Sequence, residues 1–288
     1  MNEFVIFADS ACDISPATLE RWGVKYACLT LHFEDDGIEM KDSDIDPHEF
    51  YEKMRAGHVA RTAAANMATF KDLFEEELKK GNDIFYIGFS SGLSTTYNSG
   101  AMAAGELAEK YPDRKLITID SLCASTGFGL LLYLAVLKKE SGATLEQTAD
   151  YVRERIPHIC HWFTVDDLKY LKRGGRVSPT AAFVGGILGI KPVMHTDING
   201  KLTNVSKVRG RKAAINALAE KYGELAEHPG EGPVFICNGD CGEDVEMLKR
   251  ILKEKYGTCV DMVTPTGPVI GSHSGPGTLA LFFEGKNR

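Results

Sequence analysis

The 288-residue chain has no CxxC pair, no excess of positive charge and no apolar stretch long enough to cross a bilayer. Its longest apolar run, near Phe128 to Leu137, is interrupted by Tyr133 and is about half of the roughly twenty residues that a membrane helix needs. Thirty-three basic against 40 acidic residues leave a net charge of −7, which argues against a general nucleic-acid binder, because phosphate contacts need a basic face. The start, Met1-Asn2-Glu3-Phe4, carries neither the cationic stretch nor the cleavage site of a secretory leader. Seven scattered cysteines, with no second ligand pair near Cys237 and Cys241, fit free thiols in a reducing cytoplasm better than a disulfide framework or a zinc site. No G-x-x-x-x-G-K-[ST] occurs, so there is no nucleotide P-loop. Asp9 and Asp13 lack the D-x-D spacing of a phosphatase. His158 and His161 lack metal-ligand spacing and read as structural or surface residues.

What is present is an ordinary globular composition, 43% hydrophobic and 25% charged, at a length that suggests about two domains. Short apolar runs alternate with helical segments. Phe4–Phe7 reads as a first strand, Val24–Phe33 as an extended run, and Asp83–Ile87 and Lys115–Ile119 as further strands. Between them Ser15-Pro16 and Asp46-Pro47 open helices with a cap and a first-turn proline. Such alternation implies an α/β fold with a doubly wound parallel sheet in an N-terminal domain, residues 1–157. A C-terminal α/β domain, residues 158–288, has strands near Phe163, Ile190–Met194, Val234–Cys237 and Val260–Val263, with helices near Asp166–Leu171, Arg211–Leu225 and Asp244–Lys255.

Four polar clusters stand at strand ends or helix starts: Asp9-Ser10, Ser90 to Thr96, Asp120-Ser121, and Thr62 ahead of a helix at Thr69. In an open parallel sheet the ligand crevice lies outside the carboxyl ends of the strands. Hydroxyls and free backbone N–H groups there suit an anion. Each cluster taken alone reads better as an ordinary helix cap, and only several at one sheet edge make a binding site as good a reading.

Three further segments carry chemistry. Gly88-Phe89-Ser90-Ser91-Gly92 matches a G-x-S-x-G nucleophile elbow between a strand and a helix, and Asp240 and His273 follow in the order of a serine-hydrolase triad. No HGGG-like oxyanion loop precedes it. Lys172-Arg173-Gly174-Gly175-Arg176 resembles a glycine-capped helix end, but a cap does not account for the second glycine or for Arg176. With Arg209 it makes a cationic patch suited to a phosphate or an acidic partner. Finally, Gly267 to Gly277 is a glycine-rich loop holding His273, which allows close backbone approach to a ligand.

Asp9-Ser10, Ser91 to Tyr97, Asp120-Ser121, Leu171 to Arg176, Leu188 to Pro192 and Gly271 to Gly277, in this order over nearly the whole chain, together resemble the DegV family. The resemblance implies a bacterial two-domain protein with a ligand tunnel between its domains that holds one long-chain fatty acid. It further implies a carrier without a cofactor. The carrier presents the carboxylate to a separate ATP-dependent fatty acid kinase for phospholipid synthesis, with no membrane span and at most transient membrane contact. Carried over by position, Thr62, Ser94 and His273 contact the carboxylate, Thr95 and Thr96 flank it, and Arg173, Arg176 and Arg209 lie where the kinase docks. Phe183, Val184, Ile187 and Leu188 are candidates for the tail lining. Two departures stand out: Thr62-Ala63-Ala64-Ala65 replaces the family's Thr-Ser-Gln-Pro, and Thr95 follows Ser94 where glycine is common. Serine hydrolysis by Ser90, Asp240 and His273 is the competing reading.

Overall fold

A computed structural model describes residues 3–177 and 189–288. The tail-lining candidates Phe183, Val184, Ile187 and Leu188 lie outside the described residues. Four strands, β1 (Phe4–Asp9), β2 (Val24–Ala27), β6 (Asp83–Gly88) and β7 (Leu116–Asp120), form an all-parallel sheet in the order β2-β1-β6-β7. The chain steps to one side after β1 and to the other after β6, so the topological switch point lies between these two strands. Helices α3 (Met67–Lys79), α4 (Thr96–Lys110) and α6 (Leu145–Arg155) pack on its strands. Local signals fix the helix starts. Ser15 Oγ accepts from Thr18 N ahead of α1 (Pro16–Arg21), and Asp46 Oδ1 accepts from the His48 and Glu49 amides ahead of α2 (Pro47–Arg55).

The extended run Val24–Phe33 is two strands in two sheets. After Ala27 the chain leaves the parallel sheet, Ser10 Oγ accepts from Leu29 N at 2.9 Å, and β3 (Thr30–Phe33) enters a small antiparallel sheet with β4 (Met40–Lys41) and β5 (Ala60–Ala63). Thr62 therefore sits inside a strand, paired with Leu31, and not at the start of a helix.

A six-stranded mixed sheet follows in the order β10-β9-β8-β13-β11-β12. Its strands are β8 (Ile159–Thr164), β9 (Ile190–Thr196), β10 (Leu202–Arg209), β11 (Val234–Asn238), β12 (Met262–Pro265) and β13 (Leu279–Glu284). Strict alternation divides its side chains. Trp162, Ile236, Leu279, Leu281 and Phe283 join one apolar cluster with α8 (Arg211–Leu225) and α9 (Gly242–Tyr256), whereas Phe163, Phe235, Cys237, Ala280 and Phe282 face the other way and join the core of the parallel sheet. Between the sheets runs α5 (Ser125–Glu140), the apolar stretch noted in the sequence. It is buried on all sides from Ser125 to Leu132 and packs on β8, β11 and β13. Such a helix has no solvent face to make polar, which explains its lack of amphipathic pattern.

Leu131 on α5 is fully buried. Leu131→Ala removes that packing and leaves a cavity, and is expected to cost about 2–5 kcal/mol in urea unfolding. A loss under about 1 kcal/mol would place α5 outside the shared core.

Candidate functional site

The switch point fixes one wall of the site. From β6 the chain enters the loop Phe89–Thr95, and two carboxylates brace it from either side. Asp9, at the end of β1 and fully buried, accepts from Phe89 N at 2.9 Å and from Tyr86 Oη at 3.3 Å, and its burial raises the carboxyl to about 7. Asp120, at the end of β7, accepts from Ser91 N and Leu122 N, both at 3.1 Å. Two of the four polar clusters are thus supports for the loop, and they shape the site without lining it. Ser94 Oγ accepts from Thr96 N at 3.2 Å and lies 2.9 Å from Thr96 Oγ1, at the start of α4.

Across from this loop stands a short helix, α10 (Pro268–Ser274), with His273 near its end. Its entry is pinned from the first half of the chain. Asp13 Oδ1 accepts from Gly267 N at 3.0 Å, Asp13 Oδ2 accepts from Ser125 Oγ, and Tyr51 Oη donates to Thr266 O at 2.9 Å. The third wall is the small sheet, where Thr62 Oγ1 lies 2.8 Å from His273 Nε2.

These walls line a cavity of about 510 Å³, within the roughly 300–1,000 Å³ of small-molecule sites. Thr62, Ser94, Thr95, His273 and Arg176 all border it. Much of the remaining lining is apolar, including Leu29, Phe89, Phe163, Val269, Ile270 and Phe282. Burial, reinforced by the positive charges of Arg176 and Arg61, pushes the His273 imidazole down to about 4, so the ring is neutral near pH 7. Arg176 reaches the cavity from the loop after α7 (Lys169–Arg173). Its Nε donates to Leu93 O at 3.1 Å and its Nη1 to Gly174 O. Arg173 and Arg209 do not border the cavity. Arg173 lies exposed over the Tyr170 ring, and Arg209 ends the edge strand β10.

The hydrolase triad is not assembled. Ser90 is buried and its Oγ donates to Gly200 O at 2.8 Å, a brace to the β9–β10 turn. Asp240 is paired with Arg55 and, at 3.0 Å, with His48 Nδ1. His273 bonds Thr62, and its Nδ1 has no hydrogen-bond partner. The nucleophile–base–orienter chain that covalent catalysis requires is absent. His48, Glu52 and Asp240 lie close enough to share a cation, but Arg55 already occupies the centre of that cluster.

Sequence reasoning missed several lining residues. Ala280 and Phe282 sit on alternate positions of β13, with Thr278 just ahead of it, and His161 and Phe163 on alternate positions of β8. Both strands are buried on both faces, so no polar–apolar alternation marks which residues face the cavity. His161 is buried. Its Nδ1 lies 2.9 Å from Ile159 O and its Nε2 accepts from Ala124 N at 3.2 Å, so it caps the start of α5 while bordering the cavity. All seven cysteines are free. Among the described residues, no helix is long and apolar enough to cross a membrane.

His273 titrates near 6.5 when unfolded but only near pH 4 in the fold, so acid favours the unfolded state between these values. The contribution of His273 to stability is therefore complete above about pH 6.5 and falls as the pH drops. Urea midpoints at pH 7 and pH 5 are expected to show wild type losing on the order of 1 kcal/mol more than His273→Gln. Equal losses would contradict a buried neutral imidazole.

A sequence profile described as "Uncharacterised protein, DegV family" matches residues 3–286. A DegV domain-containing protein of Clostridium perfringens is 40% identical over 289 aligned positions, covering 100% of this chain and 99% of the relative. Among solved structures, a DegV lipid binding protein from Thermotoga maritima is similar at a TM-score of 0.86 with 31% identity, over 99% of both chains. A DegV family protein from Thermus thermophilus described by its fatty acid binding superposes at 0.88 with 26% identity, over 98% of this chain and 99% of that one. With the profile matched almost end to end and a full-length relative at this identity, the chain belongs to the DegV family.

Proposed function

We propose that this protein is a carrier that holds one long-chain fatty acid in the cavity between its two larger sheets. The observation that carries this reading is a largely apolar cavity bordered by the Thr62–His273 pair, Ser94 and Arg176. The lipid- and fatty-acid-binding relatives from Thermotoga and Thermus support it. In this reading the first lobe runs to about residue 157 and the second follows it, so the ligand lies at their junction.

Energetics favour a division of labour. Burying about sixteen methylenes at about 0.8 kcal/mol each supplies roughly 13 kcal/mol before costs. Association and chain ordering remove several kcal/mol or more, whereas nanomolar binding needs about −12 kcal/mol. The tail thus supplies the affinity. An unpartnered buried carboxylate would cost several kcal/mol, so Thr62 and Ser94, with the neutral His273 bonded to Thr62, hold the head chiefly by preventing that loss. Thr95 borders the same end, and Arg176 adds positive charge within reach. Ala63 and Ala64 put methyl groups on the cavity wall where the family has Ser and Gln, which makes this end drier and more dependent on Thr62.

The chain does not carry out chemistry in this reading. It presents the head group to a fatty acid kinase in the cytoplasm, which feeds acyl phosphate to phospholipid synthesis. The exposed Arg173 and Arg209, with Arg176 at the cavity, form the docking surface for that enzyme, and membrane contact is transient.

Protein purified from bacterial cells is expected to release about one fatty acid per chain on denaturation, read by mass spectrometry. A lipid-free chain that takes up no added palmitate would overturn the carrier reading. His273→Ala should weaken palmitate binding by about tenfold, the value of one hydrogen bond, and reduce kinase-dependent phosphorylation more steeply. Arg209→Ala should slow phosphorylation with lipid content unchanged. Loss of lipid in that variant would assign Arg209 to the pocket.

A further inference from the structure

The two glycines after α7 have different reasons to be glycine. Gly175 has φ +71, a left-handed conformation that closes the helix. Gly174 has φ −72 and ψ −12, which any residue adopts, so its need is spatial. A Cβ built on Gly174 would overlap His273 Nδ1. The Gly174 backbone therefore lies directly against that ring nitrogen, and the nitrogen is buried with no hydrogen-bond partner. The opposite nitrogen, Nε2, lies 2.8 Å from Thr62 Oγ1.

We propose that Gly174 is a positioning residue that holds His273 in the tautomer with its proton on Nε2, so that the imidazole donates to Thr62 and the Thr62 hydroxyl donates into the cavity. The alternatives differ in what they leave unpaired. With the proton on Nδ1, a buried N–H would face the Gly174 backbone without an acceptor, which is the rarer defect in folded proteins. With the proton on Nε2, only a lone pair goes unused there. The neutral state of the ring means that one nitrogen, and one only, carries the proton.

The consequence reaches the ligand. A neutral imidazole that donates to Thr62 Oγ1 occupies a lone pair of that oxygen and leaves its O–H free for an anion. In the other tautomer Thr62 would spend its proton on Nε2 and turn lone pairs toward the cavity, repelling a carboxylate. Gly174 thereby sets the polarity of the head-group end from outside the cavity lining. It also links the Lys172–Arg176 segment to the site, since Arg176 Nη1 donates to the Gly174 carbonyl. This part of the proposal rests on the carrier reading, whereas the tautomer itself does not.

The test is a multiple-bond proton–nitrogen spectrum of isotope-labelled, lipid-stripped protein near pH 7, with His273 assigned by its loss in His273→Gln. The expected result is an unprotonated Nδ1 and a protonated Nε2, and a protonated Nδ1 overturns the proposal. Gly174→Ala, which carries no backbone penalty, is expected to displace or mix the tautomer and raise the palmitate Kd at least about tenfold. A wild-type spectrum together with wild-type affinity in that variant also overturns it. Should Gly174→Ala fail to fold, a second pair decides the binding half. His273→Gln, whose amide N–H can replace Nε2–H, should stay within about threefold of wild type, and His273→Asn should fall at least about tenfold. The reverse order contradicts the assignment. If wild-type protein binds no palmitate, the carrier reading fails and the tautomer is decided by the spectrum alone.

Discussion

The hydrogen bond between Thr62 Oγ1 and His273 Nε2 joins residues 211 positions apart, and the site is organised around it. One partner comes from a three-stranded sheet that interrupts the first half of the chain. The other comes from a short helix near its end. Each is held by residues that do not themselves line the cavity. Asp13 pins the entry to the helix through Gly267 N, Leu31 pairs with Thr62 across the small sheet, and Gly174 backs the imidazole. Because burial keeps the ring neutral, Thr62 can meet an anion with its hydroxyl while the imidazole backs it, without burying a second full charge.

The same economy appears in the use of polar groups elsewhere. Asp9, Asp120 and Ser90 sit where the crevice of a parallel sheet is expected, and all three are spent on the backbone of surrounding loops. They hold Phe89–Thr95 in place so that Ser94 and Thr95 border the cavity. A single α5, apolar all round, fills the space between the sheets and supplies Ser125 and the adjacent Ala124 to the cavity wall.

Much of this was legible in the residues. The parallel sheet announced itself through short apolar runs ending in Asp, Ser and Gly, and Thr62, Ser94, Thr95 and His273 do converge on one cavity. What failed had physical causes. Ala60–Ala63 is too short for alternation to show, so Thr62 read as a helix approach. β13, Leu-Ala-Leu-Phe-Phe-Glu, is buried on both faces and lost its period-two signature, while the polar edge strand β10 has no apolar run to mark it as a strand. The elbow pattern around Ser90 matched in sequence only, because five residues cannot specify where His273 and Asp240 will lie. Gly174 was opaque for the same reason: its need for hydrogen in place of a side chain is set by an imidazole on another helix.

The most direct measurement is a crystal structure of the protein with palmitate. The account predicts the carboxylate within hydrogen-bond distance of Thr62 Oγ1 and Ser94 Oγ beside His273, with the chain enclosed against Phe163 and Phe282. A carboxylate pointing away from Thr62, or palmitate bound only on the outer surface with the cavity empty, would contradict it.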